Sequence, residues 1–401
     1  MNESIVTITT VDEAKDVYRQ KELRQSLYDA GEIVMDGVLV NLHGEEHRAR
    51  RRLENRLFRR DTLVHYERDL FPVVIDETLQ PYVEVGRAEL VHMSHQLMMN
   101  LAALNAGVDR VTGDPDETGR LYGYMMKFIE GATLAHTTRD AAEVEAEVAA
   151  AIAGFDRDFL RPSIDCRERL LAAVARGEAT EDDLPKDVLT VLLRNEDALH
   201  LPPEVTIREV AFFLLAGAHT SATAFVRTID NLFRWLAHHP EDEHRLHDDL
   251  SFVQRAVYET IRLNPSSPVG MRRALADVTL RSGRLIPEGT QIVIDLMAIN
   301  RDPTVFGGDA EMFDPHRIPL RDVAGPWGLS FGHGMHACIG QELAAGLAER
   351  SEETGEFEYG LATVAVQAMF DRKVRPDPDA APQVDTTTKR PYWASYPVLL
   401  G

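Results

Sequence analysis

Cysteine is scarce in this chain: 401 residues hold two, Cys166 and Cys338, so there is at most one disulfide and no disulfide framework. Positive charge is also in short supply. There are 43 Lys plus Arg against 65 Asp plus Glu, and the net charge of −22 repels nucleic acid and anionic membrane surfaces. Long hydrophobic runs are missing. The longest, Val210 to Ala218, stops at His219, well short of the roughly 20 residues that cross a bilayer, so no membrane insertion is expected. The opening Met1-Asn2-Glu3-Ser4 lacks the basic stretch and apolar core of a secretory signal, which predicts a cytoplasmic location. Repeats of fixed period and Gly/Ser or Pro-rich linkers are absent too.

What is present describes a globular chain. Hydrophobic residues make up 44% of it, and Leu, Ile, Val and Phe recur throughout, which excludes general disorder. The periodicity is mainly helical. The longest candidate runs from Pro203 to His239, with Pro203 and Glu204 in its first turn and Pro240 ending it. It is apolar on most sides around Val210 to Ala218, so it is expected to pass through the core. Shorter helices are predicted at Val11 to Arg19, Glu45 to Phe58, Ala141 to Leu160, Leu250 to Leu263 and Gly340 to Arg350. Strand signals are few and concentrate after Pro265, at Val278 to Leu280 and Gln291 to Ile294. The segment from Asp302 to Pro326 is rich in Pro, Gly and Asp without a period, and reads as an ordered, extended loop.

The most informative stretch is Phe331-Gly332-His333-Gly334-Met335-His336-Ala337-Cys338-Ile339-Gly340. Alternate glycines permit a tight turn against a flat surface, and Cys338 falls where a helix is predicted to begin. There the helix dipole and free backbone N–H groups favour a thiolate, which binds iron strongly. An isolated cysteine is more often a buried structural residue. That reading suits Cys166, which sits among Arg, Asp and Glu and is assigned no role.

This stretch resembles the haem-binding loop of the cytochrome P450 family, F-G-x-G-x-H-x-C-x-G, at every fixed position. The resemblance implies haem b (iron protoporphyrin IX) with Cys338 as axial ligand to the iron, His336 at a propionate and Phe331 packed beside the sulfur. It also implies a mainly α fold with small β-sheets, a triangular helical domain in which the long central helix lies over the haem.

Other segments match the family in order. Glu259 and Arg262, three apart on one helix face, are ordinarily a surface pair of little value. Placed 72 residues before Phe331, they match E-x-x-R, and Arg317 matches the arginine that closes this structural triad. His47 and Arg51 match an H-x-x-x-R helix whose side chains bind a propionate, and Arg272 matches a further propionate ligand. Seven arginines lie between Arg48 and Arg60. For Arg56, Arg59 and Arg60 a solvated helix face is the plain reading, though in the family this region lies near the docking face for an acidic ferredoxin.

Within the long helix, Ala216-Gly217-Ala218-His219-Thr220 matches A-G-x-(D/E)-T except at His219. Gly217 signals close approach to the backbone, and a threonine there can bond a carbonyl one turn back. The resemblance makes Thr220 catalytic in oxygen activation. His219 either relays protons toward it or bonds another helix; a third reading, as an iron ligand, requires the side chain to point the other way.

The segments implied to line the substrate pocket are Lys21 to Asn41, Tyr122 to Ala135, Phe212 to Thr220, Val269 to Met271 and Pro391 to Trp393. Phe213, Ala216, Val269 and Trp393 are the chosen positions, each equally able to be ordinary core. An apolar lining suits a hydrophobic small molecule.

Together the resemblance implies one domain over residues 1–401, with an N-terminus shorter than usual and an acidic insertion near 351–360. It implies a bacterial, monomeric monooxygenase that draws electrons from NAD(P)H through ferredoxin reductase and ferredoxin. The expected reaction is hydroxylation or epoxidation in secondary metabolism. Coupling, desaturation or peroxide-driven oxidation is the alternative within the family, and a non-catalytic haem-binding protein the alternative outside it.

Overall fold

A computed structural model describes residues 4–321, 323–348 and 358–401. The long apolar segment forms one uninterrupted α-helix, Pro203–Leu236, opened by Pro203 at its first position. At 34 residues it is about 50 Å long. It packs along its length on Leu90–Ala106, and with Phe71–Val85 and Leu361–Asp371 these form a bundle around the larger of two apolar cores. By length and composition this helix passes as a membrane span, but 67% of its most apolar window is buried inside the fold. Gly217 shows why the approach is so close: a Cβ there would lie 3.1 Å from the Cβ of Ala102 on the neighbouring helix. The closest group to that backbone is thus another helix.

The helices Val11–Arg19 and Leu250–Leu263 match the sequence reading. Glu45 to Phe58 appears as Gly44–Glu54 followed by a single 3-10 turn, and Ala141 to Leu160 as Ala141–Phe155 running into a π turn. The helix expected from Gly340 to Arg350 is much shorter, Gln341–Ala345. It stops at Gly346, whose φ of 75° a side chain would strain, where a Cβ would collide with the backbone of Tyr359. The acidic insertion expected near 351–360 lies largely outside the described residues. Its last residues are held by Glu67, whose carboxylate accepts from the N–H groups of Tyr359 and Gly360.

The principal sheet has four strands. Val269–Ala274 lies antiparallel between Leu23–Gln25 and Gln291–Asp295, and Ile5–Ile8 runs parallel to the outer side of Gln291–Asp295. Its inner face packs the second core, around Ile292, Ile294 and Phe306. The three strands before Pro265, at Ile5–Ile8, Leu23–Gln25 and Arg87–Glu89, are too short for an alternating pattern to reveal.

Arg262 has no exposed surface. Its guanidinium binds both oxygens of Glu259 at 2.6 Å and donates to the carbonyls of Asn300 and Ala310. Arg317 reaches Glu259 at 2.9 Å, so both arginines share one carboxylate. Apart from one helical turn, Pro303–Phe306, the Asp302 to Pro326 segment is irregular in backbone, but these bonds tie it to the helix Leu250–Leu263.

A second buried charge cluster joins the helix Gly44–Glu54 to the central helix. Glu209 accepts from Arg50 and from the backbone N–H of Leu39, and the buried carboxyl of Glu54 lies against it. Burial first, then the neighbouring carboxylate, raises Glu54 well above the usual range, and burial lifts Glu209 to about 7 despite Arg50. Both Glu54 oxygens lack a hydrogen-bond partner among the described residues, so one proton held on the pair would supply the donor that two carboxylates lack. With both folded values raised, the stabilising contribution is complete below about pH 4.5 and is lost as pH climbs through 7. Glu54→Gln keeps the neutral form. Its melting temperature is therefore expected to gain a few degrees on the parent between pH 5 and pH 8; a pH-independent difference contradicts the shared proton.

Candidate functional site

The loop before Cys338 is shaped by glycine and by one clamp. Gly332 and Gly334 adopt φ of 69° and 70°, and a Cβ on Gly334 would meet the carbonyl oxygen of Tyr18 at 2.5 Å. The backbone N–H of Cys338 donates to Phe331 at 2.8 Å, closing the turn. Asn300 fixes its root: its amide donates to the Arg262 carbonyl and to Ser330, while its side-chain oxygen accepts from Leu329. The triad and the cysteine loop thus form one connected unit.

The Cys338 sulfur is enclosed by protein yet not covered by it, so it faces an internal space rather than bulk water. Burial pushes the thiol up; the Gly340 N–H and the charge of Arg51 oppose this. The helix that follows begins three residues later and is five residues long. Its dipole is therefore a weaker aid than the sequence suggests, and the N–H of Gly340 and Arg51 stand in its place.

Around the loop the structure gathers His43, His47, Arg51, Arg272 and His336. The rings of His47 and His336 approach to 4.1 Å. His47 is held at about 4 by burial and by Arg51, His43 and Arg48; His336 is pushed down to about 2 by burial and by His47, Arg272, His43 and Arg51. Arg272 is buried and donates to the carbonyl of Met271, with its guanidinium 4.8 Å over the Tyr18 ring. Both ring nitrogens of His47, Nε2 of His336 and Nδ1 of His43 are buried without a hydrogen-bond partner among the described residues. Two arginines beside unpartnered ring nitrogens are costly to bury alone and are matched by a group carrying two carboxylates. These residues fit haem: propionates against the cluster, iron at the sulfur.

On the central helix, Gly217 and Thr220 are uncovered although Ala218, His219 and Ser221 beside them are buried. The Thr220 hydroxyl donates to the carbonyl of Ala216 at 2.7 Å, one turn back. His219 turns to a different side. Its Nδ1 lies 3.3 Å from Nε2 of His95 on the neighbouring helix, and its ring meets Tyr392 edge-on at 5.4 Å. Burial, then His95, Arg390 and Arg227, hold it far below its ordinary value, hence neutral.

Of the four chosen pocket residues, Trp393 lines a cavity of about 600 Å³, together with Tyr122, His95, His219 and Arg227; Phe213, Ala216 and Val269 do not line it. Phe213 is core, stacked on Phe58 and set edge-on to Phe212. Phe331 packs against the ring of Trp327. Among the arginines from 48 to 60, Arg50 is buried on Glu209 and Arg60 reaches Glu358, while Arg56 and Arg59 are exposed. Residues that sequence reasoning missed include Arg50, Glu209, His95, Tyr28 and Arg390; none belongs to a spaced motif, and Lys389-Arg390 reads as surface charge.

A glycine-shaped loop carrying an uncovered cysteine, next to buried arginines and unpartnered histidines, is a set of residues that could hold a haem. The family model for Cytochrome P450 matches residues 157–346. Cyclooctat-9-en-7-ol 5-monooxygenase of Streptomyces melanosporofaciens is 27% identical over 368 residues, 82% of this chain and 75% of that protein. Pentalenene oxygenase of Streptomyces avermitilis is 30% identical over 255 residues, 59% and 53% of the two chains. The crystal structure of CalO2 superposes with a TM-score of 0.72 at 21% identity, covering 98% of this chain and 90% of that one. The family model and these relatives together support a cytochrome P450 monooxygenase.

Arg272 meets no carboxylate of the protein in the contacts described, so its replacement removes charge only from the haem side. Arg272→Gln is expected to speed haem transfer to apomyoglobin about tenfold. An unchanged transfer rate rejects the propionate role.

Proposed function

We propose that this chain is a single-domain haem-thiolate monooxygenase that hydroxylates or epoxidises a hydrophobic small molecule of specialised metabolism, with electrons from NAD(P)H delivered through ferredoxin reductase and ferredoxin. The observation that carries it is the coincidence of an uncovered thiol at Cys338 with buried, unpartnered ring nitrogens on His47 and His336. Bound haem supplies the redox chemistry that activates dioxygen, with thiolate electron density favouring O–O cleavage. The chain's part is to hold and to exclude. Arg51 and Arg272 would neutralise the propionates and the neutral rings of His47 and His336 would donate hydrogen bonds to them; Glu259, Arg262 and Arg317 fix the loop that presents Cys338; Phe331 would shield the sulfur from one side.

Thr220 presents its hydroxyl at an uncovered point of the central helix, where it can exchange its bond to the Ala216 carbonyl for one to a water. His219, neutral and bonded to His95, acts in packing the two helices. The names of the two Streptomyces relatives point to compact hydrophobic substrates, and that support extends to this chain as a class only.

The haem-thiolate reading is tested by carbon monoxide: the reduced holoprotein should show a Soret band near 450 nm, the position characteristic of the family, and Cys338→His should abolish it. Its absence in the parent protein defeats the proposal. The ferredoxin step has its own test. Arg56 and Arg59 are exposed on the segment that follows the cradle helix, so reversing both charges should lower ferredoxin-supported turnover several-fold and leave peroxide-supported turnover intact. Equal loss in both assays places the arginines outside electron delivery.

A further inference from the structure

Two guanidiniums are buried beside the uncovered stretch of the central helix; Arg227 has the buried carboxylate of Asp230 within electrostatic reach, whereas Arg390 meets no carboxylate among the described residues. Arg227 donates to the carbonyls of Asn264 and Pro391, and Arg390 to the carbonyl of Ser266 and the hydroxyl of Tyr392. Each is 7% exposed. Backbone carbonyls satisfy N–H groups but do not cancel a charge, and Nε of Arg390 has no hydrogen-bond partner among the described residues. Both lie within electrostatic reach of His219 on the central helix, which is neutral and answers neither.

Arg390 is wired to the candidate active site. Tyr392 donates its hydroxyl to the Ser266 carbonyl at 3.0 Å, and the Ser266 hydroxyl donates to the carbonyl of Thr220 at 3.1 Å. Across from it, Tyr28 bonds Ser267 and lies within electrostatic reach of both Arg390 and the Cys338 sulfur. Like Cys338, the Tyr28 side chain is enclosed by protein without being wholly covered. One buried cation, one orphaned donor and two hydroxyls therefore converge between Thr220 and the cysteine loop.

We propose that Arg390, assisted by Tyr28 and Ser267, anchors a carboxylate on the substrate, so that the substrate is an organic acid with a hydrophobic body. The inference rests on the monooxygenase reading and narrows its substrate class. The Nε of Arg390 gives the carboxylate a charge-assisted bond in a site that water enters poorly, and the Tyr28 hydroxyl supplies a second donor. Anchoring one end fixes which carbon of the body lies over the haem.

The test uses holoprotein and three matched pairs of probes: dodecanoic acid and dodecanamide, adamantane-1-carboxylic acid and its amide, indole-3-acetic acid and its amide. Binding is read from the shift of the haem absorption band. At least one acid is expected to bind about tenfold or more tightly than its amide. Arg390→Gln should erase that preference, Arg390→Lys should keep it in weaker form, and Tyr28→Phe should reduce it. Acid and amide binding equally, neither member of any pair binding, or an undiminished preference in Arg390→Gln each overturns the proposal. Should Arg390→Gln fail to fold, the parent protein and the Tyr28→Phe and Arg390→Lys variants decide the matter by the same comparison of acid with amide. The carbon monoxide band is recorded on every preparation, so a failed preference with an intact band condemns the anchor and spares the haem-thiolate reading.

Discussion

The arrangement depends on a guanidinium with no access to water. Arg262 is fully buried, and breaking its pairing with Glu259 would strand a charge in the interior, which costs several kcal/mol. Its bonds to the carbonyls of Asn300 and Ala310 extend that constraint to the irregular segment following the main sheet. Asn300 passes it on to Leu329 and Ser330, the residues immediately before Phe331. A cysteine on a glycine-rich turn is thereby held as firmly as one on a helix. The loop needs this help, because its own backbone makes few regular bonds and the helix beyond it has only five residues.

Charge distribution follows the same logic at a larger scale. The chain is acidic overall, yet the cluster around the cysteine loop consists of Arg51, Arg272, His43, His47 and His336, with no carboxylate among the described groups that shift His47 or His336. Where an interior cation has a protein partner, as Arg50 with Glu209, it serves to join two helices. Where it meets none, as with Arg272 and Arg390, we assign the missing anion to a bound molecule, haem for the first and substrate for the second. Sorting buried cations by whether a carboxylate answers them separates scaffold from site.

Much of this is legible in the sequence alone. The Phe331 to Gly340 loop, the Glu259 and Arg262 pair and the His47 and Arg51 spacing are local patterns, and local patterns survive folding. The central helix is legible too, since Pro203 opens it and 34 residues of apolar periodicity leave few alternatives. What stays hidden depends on distance along the chain. Glu209 finds Arg50 across 159 residues, and His219 finds His95 across 124. No spacing rule connects such pairs. The strands Ile5–Ile8, Leu23–Gln25 and Arg87–Glu89 are equally invisible, because pairing partners and not alternation define them. Phe213 reads as pocket lining because it is apolar and lies about two helical turns before Thr220 on the same stripe. The ring of Phe58, brought in from the far side of the sequence, stacks on it and makes it core.

Helix geometry also explains His219. Adjacent helix residues point about 100° apart, so His219 and Thr220 cannot both address the uncovered side. Thr220 takes it, and His219 is turned into the contact with Leu90–Ala106. An acid at that position would have faced Arg227 and Arg390 and cancelled part of their charge. A neutral histidine leaves Arg390 without that anion and Arg227 with only the charge of Asp230 in reach. The departure from the family pattern at one residue thus changes the electrostatics of a wall some way from it, and it does so by what it fails to neutralise rather than by any proton it carries.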